Sequence, residues 1–312
     1  MAKAKKSKKS YPKKSQQDIK SEIFASVTNQ ILAEMEQGSI PWHKPWNYKG
    51  QMPTSLSTGK AYRGINVWIL GAQPYGDPRW GTYKAISDLD GQVRKDEKSS
   101  KVILIKPRVF KGEDSETGEE TTKFGGFIFR TFAVFNAEQA DWSEPLPSLE
   151  AQETDNANDT ISECEAIIRD FPQPPKIVEG NDGRCWYAPS LDKISMAPLK
   201  SFNDSESFYG TLFHELAHST GSTKRIGRLK GSKALAAFGS ADYGYEELVA
   251  ELASALVSGV VGILPAQPTN CVAYLQNWKR VIKADNTVFL RAAQEAQRAA
   301  DWILNDRQDR DK

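Results

Sequence analysis

From Ile19 to Gln37, apolar residues recur at Ile23, Val27, Ile31, Leu32 and Met35, the three-and-four spacing of one helix face. Gly38 follows and ends that helix as a C-terminal glycine does. The next stretch, Ile40 to Tyr83, is dense in Trp, Tyr, Pro and Gly. It reads as loops around short elements, with a helix over Ile65 to Leu70. Strand-like runs come next, Lys101–Val109 (KVILIKPRV) and Phe124–Ala133 (FGGFIFRTFA), with Val134–Phe135 as a further short one. The charged, glycine-containing segment Gly112–Lys123 separates the first two, which predicts a hairpin. Beyond it, a helix is predicted over Ile161–Asp170 and short strands over Lys176–Glu179 and Arg184–Ala188. Helical patterns then cover Ser205–Ser219, Tyr245–Val261 and Asn270–Leu304, the last broken near Ala284–Asn286.

Between these halves lies Ser143–Thr160 (SEPLPSLEAQETDNANDT), acidic, proline-containing and poor in large apolar groups. It is read as a linker. The fold class is α+β: a basic tail expected to be disordered (1–17), a mixed α/β domain (18–142), an acidic linker (143–160), a second domain (161–305) and a short tail (306–312).

Composition narrows the setting. Hydrophobic content of 39% and charged content of 26% are those of a soluble globular protein. The longest apolar run, Leu252–Leu264, has 13 residues and contains Ser and Gly, where a bilayer needs roughly 20. The lysine-rich start resembles no signal peptide, so the expectation is a cytoplasmic protein with no membrane partner. Three cysteines without CxxC spacing argue against a disulfide framework and a cysteine-built zinc site, and read as small apolar core residues.

The net charge of +1 hides an asymmetry. Residues 1–111 carry 21 Lys/Arg against 9 Asp/Glu, whereas the remainder carries 20 against 31. Seven lysines of the tail supply over half of the N-terminal excess, and removing them still leaves it positive. The N-terminal part is thus expected to face a polyanion.

The strongest local chemistry is Phe213-His214-Glu215-Leu216-Ala217-His218. HExxH places two histidines one helical turn apart on one face, where they converge on a single tetrahedral metal. Glu215 sits beside the first histidine, placed to take a proton from a water that the metal acidifies. A helix carrying two unrelated histidines is the competing explanation. The chain has only three histidines, and Phe208, Tyr209, Leu212, Phe213 and Leu216 surround this pair; unpaired polar groups in such surroundings are costly. One zinc ion is therefore expected.

For a third ligand, His218-Ser219-Thr220-Gly221 resembles the start of the metzincin pattern, but its last histidine would fall on Lys224, and His43 lies in the other half. Downstream, Glu247 and Glu251 lie four apart on one helix face, with Ala250, Ser254 and Ala255 leaving room for close packing. This resembles the gluzincin arrangement, which implies Glu247 as ligand and Glu251 bonded to a ligating histidine. Tyr243 and Tyr245, and Arg225 and Arg228, stand near enough in sequence to assist. Packed aromatics and surface charges are their ordinary roles, as a solvated charge at a helix start is for Glu246.

In the first half, aromatic and cationic residues interleave. Rings stack on unpaired bases at about 1–3 kcal/mol each while cations follow phosphates. The candidate set for single-stranded DNA is Trp42, Lys44, Trp46, Lys60, Tyr62, Arg63, Trp80, Arg94, Lys95 and Lys98. Aromatics also fill cores, and Trp68, flanked by Val67, Ile69 and Leu70, is the expected core member; the Trp42–Trp46 loop is the expected exposed platform.

Several separated motifs, in order, resemble the ArdC-type antirestriction family. They are Glu36-Gln37-Gly38 with Pro41-Trp42-His43-Lys44-Pro45-Trp46, Thr58 to Asn66 (TGKAYRGIN), Val93 to Ser99 (VRKDEKS), Val134-Phe135-Asn136, Thr211 to Gly221 and Ala241 to Glu251. The resemblance covers about residues 18–305. It implies a single-stranded DNA-binding domain followed by a zincin-like, gluzincin-type metallopeptidase domain, carried on mobile elements and protecting incoming DNA from restriction. It also implies a protein substrate, of unknown identity. Related proteins bear a TraC-type primase label, although the chain shows no P-loop and no convincing pair of metal-binding aspartates. A non-catalytic, DNA-shielding protein is the alternative. The lysine-rich tail and Asp96, which stands where the family turn has glycine, depart from the pattern.

Overall fold

The computed structural model describes residues 15–36, 52–113, 120–148, 161–180, 183–229, 240–263 and 271–305. Gly38, the Trp42–Trp46 loop with Lys44, nearly all of the basic tail, most of the acidic linker and the C-terminal tail lie outside them. The architecture is α+β. The first helix, α1 (Gln16–Glu36), buries Phe24, Ile31 and Met35.

In the N-terminal half, α2 (Ile65–Gly71) buries Ile65, Val67, Trp68, Ile69 and Leu70; a helix apolar almost all round belongs inside. A four-stranded sheet runs in the order β1 (Thr54–Ser55), β2 (Arg79–Gly81), β5 (Glu120–Asn136), β4 (Ser100–Glu113). The ladder between β4 and β5 is antiparallel and reaches Glu113 opposite Glu120. It is longer than the apolar pattern predicts, and both ends of the expected turn Gly112–Lys123 belong to strands. A ladder is built by backbone groups, so a polar stretch continues the register its apolar neighbours set. Register slips between Pro107 and Val109, where proline has no N–H to give, on the outer strand that tolerates it. The open edge of β4 is met by Asn66, whose Nδ2 donates to the Ile103 carbonyl (2.8 Å) while the Ile103 N–H donates to Asn66 Oδ1 (2.7 Å). Beside the sheet stand α3 (Tyr83–Ser87) and a small antiparallel pair, β3 (Gly91–Val93) with β6 (Ala140–Trp142).

The C-terminal half opens with α4 (Ser162–Asp170) and a three-stranded sheet in the order β7 (Lys176–Glu179), β9 (Lys193–Met196), β8 (Trp186–Ala188). β7 runs parallel to β9 and β8 antiparallel to it, leaving β8 at an edge. Helices α5 (Ser205–Thr220), α6 (Ala241–Val261), α7 (Cys271–Ala284) and α8 (Val288–Ile303) follow, with the predicted break separating α7 from α8. Every residue of α6 from Glu247 to Gly259 is buried. Small side chains allow this: Ser254 Oγ donates to the Gly210 carbonyl of α5 at 2.8 Å, and α8 presents buried Ala292, Ala293, Ala296, Ala299 and Ala300. Cys164 is buried, which pushes its thiol up to about 12.

One hydrophobic cluster runs from Phe24 and Trp68 to Phe213, Leu248 and Phe289, so the two halves share a core. Polar contacts reinforce it: Thr28 Oγ1 donates to the Asn286 carbonyl (2.8 Å) and the Gly64 N–H to Gln297 Oε1 (2.8 Å). Among the described residues no helix is long and apolar enough to cross a membrane.

Candidate metal centre

Asp204 starts α5 by accepting the Ser207 N–H (2.7 Å). The helix drives Tyr209, Leu212, Phe213 and Leu216 into the core, which turns His214 and His218 toward α6. Their ring centroids lie 4.7 Å apart at 82°, and their Nε2 atoms 3.0 Å apart. Into this pair α6 brings Glu247, with Oε2 3.6 Å from His214 Nε2 and Oε1 3.5 Å from His218 Nε2. One donor atom from each of the three lies within 4.8 Å of the others. Two imidazoles and a carboxylate are a donor set suited to a divalent ion such as zinc.

An acid also stands close to each outer ring nitrogen. Glu251 Oε1 lies 3.3 Å from His214 Nδ1 and Glu246 Oε1 lies 3.1 Å from His218 Nδ1. An acid on each Nδ1 leaves each Nε2 aimed inward. Arg228 grips Glu246 with two bonds, Nε to Oε2 at 2.9 Å and Nη2 to Oε1 at 2.6 Å. It also donates to the Ala217 carbonyl and to Thr220 Oγ1 on α5 (2.7 and 2.5 Å). Glu246 and Arg228 are thus not the solvated charges that their sequence neighbours indicate. Their partners lie 18 residues apart in sequence, beyond any local pattern.

The electrostatics are those of an anion-rich pocket. Burial by itself lowers both imidazole pKa values, yet Glu247 and Glu251 raise His214 well above its usual value, and Glu247 and Glu246 raise His218 to about 9. Burial pushes Glu247 upward, and the two histidines override this to hold it well below the usual carboxylate range. The pocket therefore favours added positive charge.

Glu215 is 7% exposed, and burial raises its pKa. The Tyr187 backbone amide of β8 hydrogen-bonds to its carboxylate. β8 is held by Arg225, whose side chain is fully buried. Arg225 pairs with Asp192 and reaches the Tyr187 hydroxyl (3.4 Å), the Ser219 carbonyl and the Gln173 carbonyl (2.7 Å each). Tyr243 lies half-buried in the first turn of α6, its N–H donating to Ser240 Oγ (3.1 Å).

Comparisons with known proteins follow this division. Residues 21–135 match the N-terminal domain of anti-restriction factor ArdC, and residues 163–295 match a zincin-like metallopeptidase family. The metal-free crystal structure of antirestriction ArdC from plasmid R388 is 34% identical, with a TM-score of 0.71 over 90% of this chain and 96% of that one. This chain belongs to the ArdC-type antirestriction family. The Mn(II)-bound structure of the same R388 protein is 31% identical, with a TM-score of 0.71 over 91% of this chain and 97% of that one. An uncharacterised protein of Sinorhizobium fredii is 30% identical over 90% of this chain and 91% of its own length. A DNA primase TraC of Escherichia coli is 33% identical across 92% of this chain, but the chain spans only 27% of that protein.

Several ArdC-type motifs of the first half turn out to hold the fold. Trp80, chosen from sequence as a stacking ring, is 2% exposed and meets Tyr75 edge-on at 5.6 Å; as a core residue it offers no face to a base and leaves the DNA set. Arg63 donates to both Asp301 oxygens on α8 (2.7 Å each), tying the halves together. Arg94 is engaged by Glu97 (2.9 Å) and the Glu138 carbonyl (2.5 Å), and Asn136 Nδ2 donates to the Asp77 carbonyl (2.7 Å). Tyr62 is half-buried, while Lys60, Lys95 and Lys98 are exposed. Asp96 has φ of 68°, a left-handed conformation that explains the glycine of the family pattern.

Proposed function

We propose that this antirestriction protein binds one zinc ion through His214, His218 and Glu247, uses Glu215 as general base for peptide hydrolysis, and binds single-stranded DNA through its N-terminal part. The observation that carries the reading is the convergence of two Nε2 atoms on Glu247 with Glu215 buried beside them. The Mn(II)-bound R388 relative supports a divalent ion here. The proposed division is an N-terminal domain at 18–142, a linker at 143–160 and a metallopeptidase domain at 161–305, and the proposed site of action is the cytoplasm.

When bound, zinc polarises a carbonyl and lowers the pKa of a water to about 7. The chain does the rest. His214 and His218 are oriented by Glu251 and Glu246. Glu215, its basicity raised by burial, accepts the proton and returns it to the leaving amine. Edge strand β8, whose Tyr187 amide reaches Glu215, offers a backbone edge beside the site. DNA held by the N-terminal part brings this site to proteins acting on the same strand.

Glu215→Gln is expected to keep the metal and the melting temperature and to abolish both casein cleavage and protection of a conjugally transferred plasmid in a restricting recipient. Protection that survives Glu215→Gln contradicts the catalytic reading and favours passive shielding. The primase activity in the TraC names is left with those longer relatives.

A further inference from the structure

The β4–β5 hairpin has one face that the core uses only at its base, where Val102 and Val134 are buried, and leaves open farther along the shaft. Cross-strand pairing places Val102 with Phe132, Leu104 with Arg130 and Lys106 with Ile128 on it. The opposite face turns Ile103, Ile105 and Phe129 toward the core, where Phe24 meets Phe129 edge-on at 6.0 Å. On the outward face Phe132 is 41% exposed, and Arg130 and Lys106 are exposed. Farther along β4, Arg108 and Phe110 follow Lys106 at alternate positions. Phe110 is 48% exposed and lies over Gly125, with the Arg108 guanidinium 4.6 Å from its ring centroid. Among the described residues no ion pair engages Lys106, Arg108 or Arg130. No Asp or Glu occurs in residues 100–110 or 124–136; acids gather beyond, where Glu113 faces Glu120.

We propose that this face is the platform on which single-stranded DNA lies, with Phe132 and Phe110 stacking on bases and Arg130, Lys106 and Arg108 following the phosphates between them. This rests on the single-strand reading above and places the strand on the hairpin shaft. Exposed rings separated by cations, with no acid among them, match a chain of flat bases on an anionic backbone. A duplex hides the faces that such rings need. From Val102, opposite Phe132, to Phe110 is about 26 Å of strand, a length toward the lower end of the ~4–16 nucleotides that comparable grooves cover.

The test is fluorescence anisotropy of the full-length protein with a labelled oligo-dT and with a duplex of equal length. Wild type should prefer the single strand. Phe132→Leu, which keeps apolar bulk and removes the ring, should weaken binding about ten-fold, and Phe132→Trp should restore it. The pair Arg130→Ala with Lys106→Ala should lower the slope of log K against log salt by about 1.4. Melting temperatures should stay within a degree or two of wild type. If wild type binds the oligonucleotide while all these variants bind equally well, the platform lies elsewhere. Should Phe132→Leu instead lower the melting temperature or change the oligomeric state without weakening DNA binding, the face is a protein contact and the proposal is overturned. If wild type binds no single strand, the underlying reading falls with it.

Discussion

Glu246 is an acid whose role comes wholly from its neighbours. On α6 it precedes Glu247, and the two carboxylates serve opposite nitrogens of His218: Glu247 faces Nε2 at 3.5 Å and Glu246 faces Nδ1 at 3.1 Å. Arg228 prevents Glu246 from turning away. Glu246→Gln keeps the shape and removes the charge that orients and strengthens His218. Its expected effect is a 10–100-fold loss of zinc affinity, measured by competition with a chromophoric chelator, with the fold retained. Asp192 works at the other side of the site. Burial opposes its ionisation, but Arg225 and Lys224 hold its pKa below the usual value. A depressed carboxylate pKa stabilises the fold at pH above the unfolded value of about 3.9, and that contribution disappears as pH falls through the folded value. Asp192→Asn leaves the fully buried Arg225 side chain without its charge partner, at an expected cost of about 3 kcal/mol near neutral pH. Urea midpoints measured from pH 2.5 to 7 should converge for wild type and variant at the acid end. A constant gap across that range contradicts the assignment.

At the scale of elements, the legible parts are those with a long period. α5 is read to within a residue of its end, α6 is read from Tyr245 although it starts four residues earlier at Ala241, and α7 and α8 separate where the pattern breaks. β1, β2, β3, β6 and β9 are not legible, because they are short and lack the adjacent β-branched or aromatic pairs, Ile177-Val178 and Trp186-Tyr187, that mark the equally short β7 and β8 as strands. Their strand character comes from pairing with distant segments, as Trp80 pairs with Asn136. The same holds for Trp80, Arg63 and Arg94. Aromatic and basic residue types point to DNA, but a partner such as Asp301 on α8 is invisible along the chain. The turn at Asp96 could be read as an anomaly from the missing glycine, and the φ of 68° gives its cause. Asp tolerates this conformation but is strained in it. Asp96→Gly is expected to stabilise the protein by about 0.5 kcal/mol, the relief of strain exceeding the added chain entropy; a lower denaturation midpoint in the variant contradicts this.

Across the whole molecule, the HExxH spacing identified one helix, and the fold supplied everything that makes the helix a site. α8 packs its alanines under α6, α6 comes close to α5 through Ser254 and Gly210, and this approach delivers Glu246, Glu247 and Glu251 together to the two histidines. The shared core and the Arg63–Asp301 pair join this assembly to the half proposed to hold DNA. The central claim is that His214, His218 and Glu247 hold one metal ion, and anomalous diffraction at the zinc edge from zinc-loaded crystals tests it directly. The account predicts a single peak about 2.0–2.2 Å from both Nε2 atoms and a Glu247 oxygen, absent in His218→Ala. No peak there after loading, or a peak bound by other side chains, contradicts it.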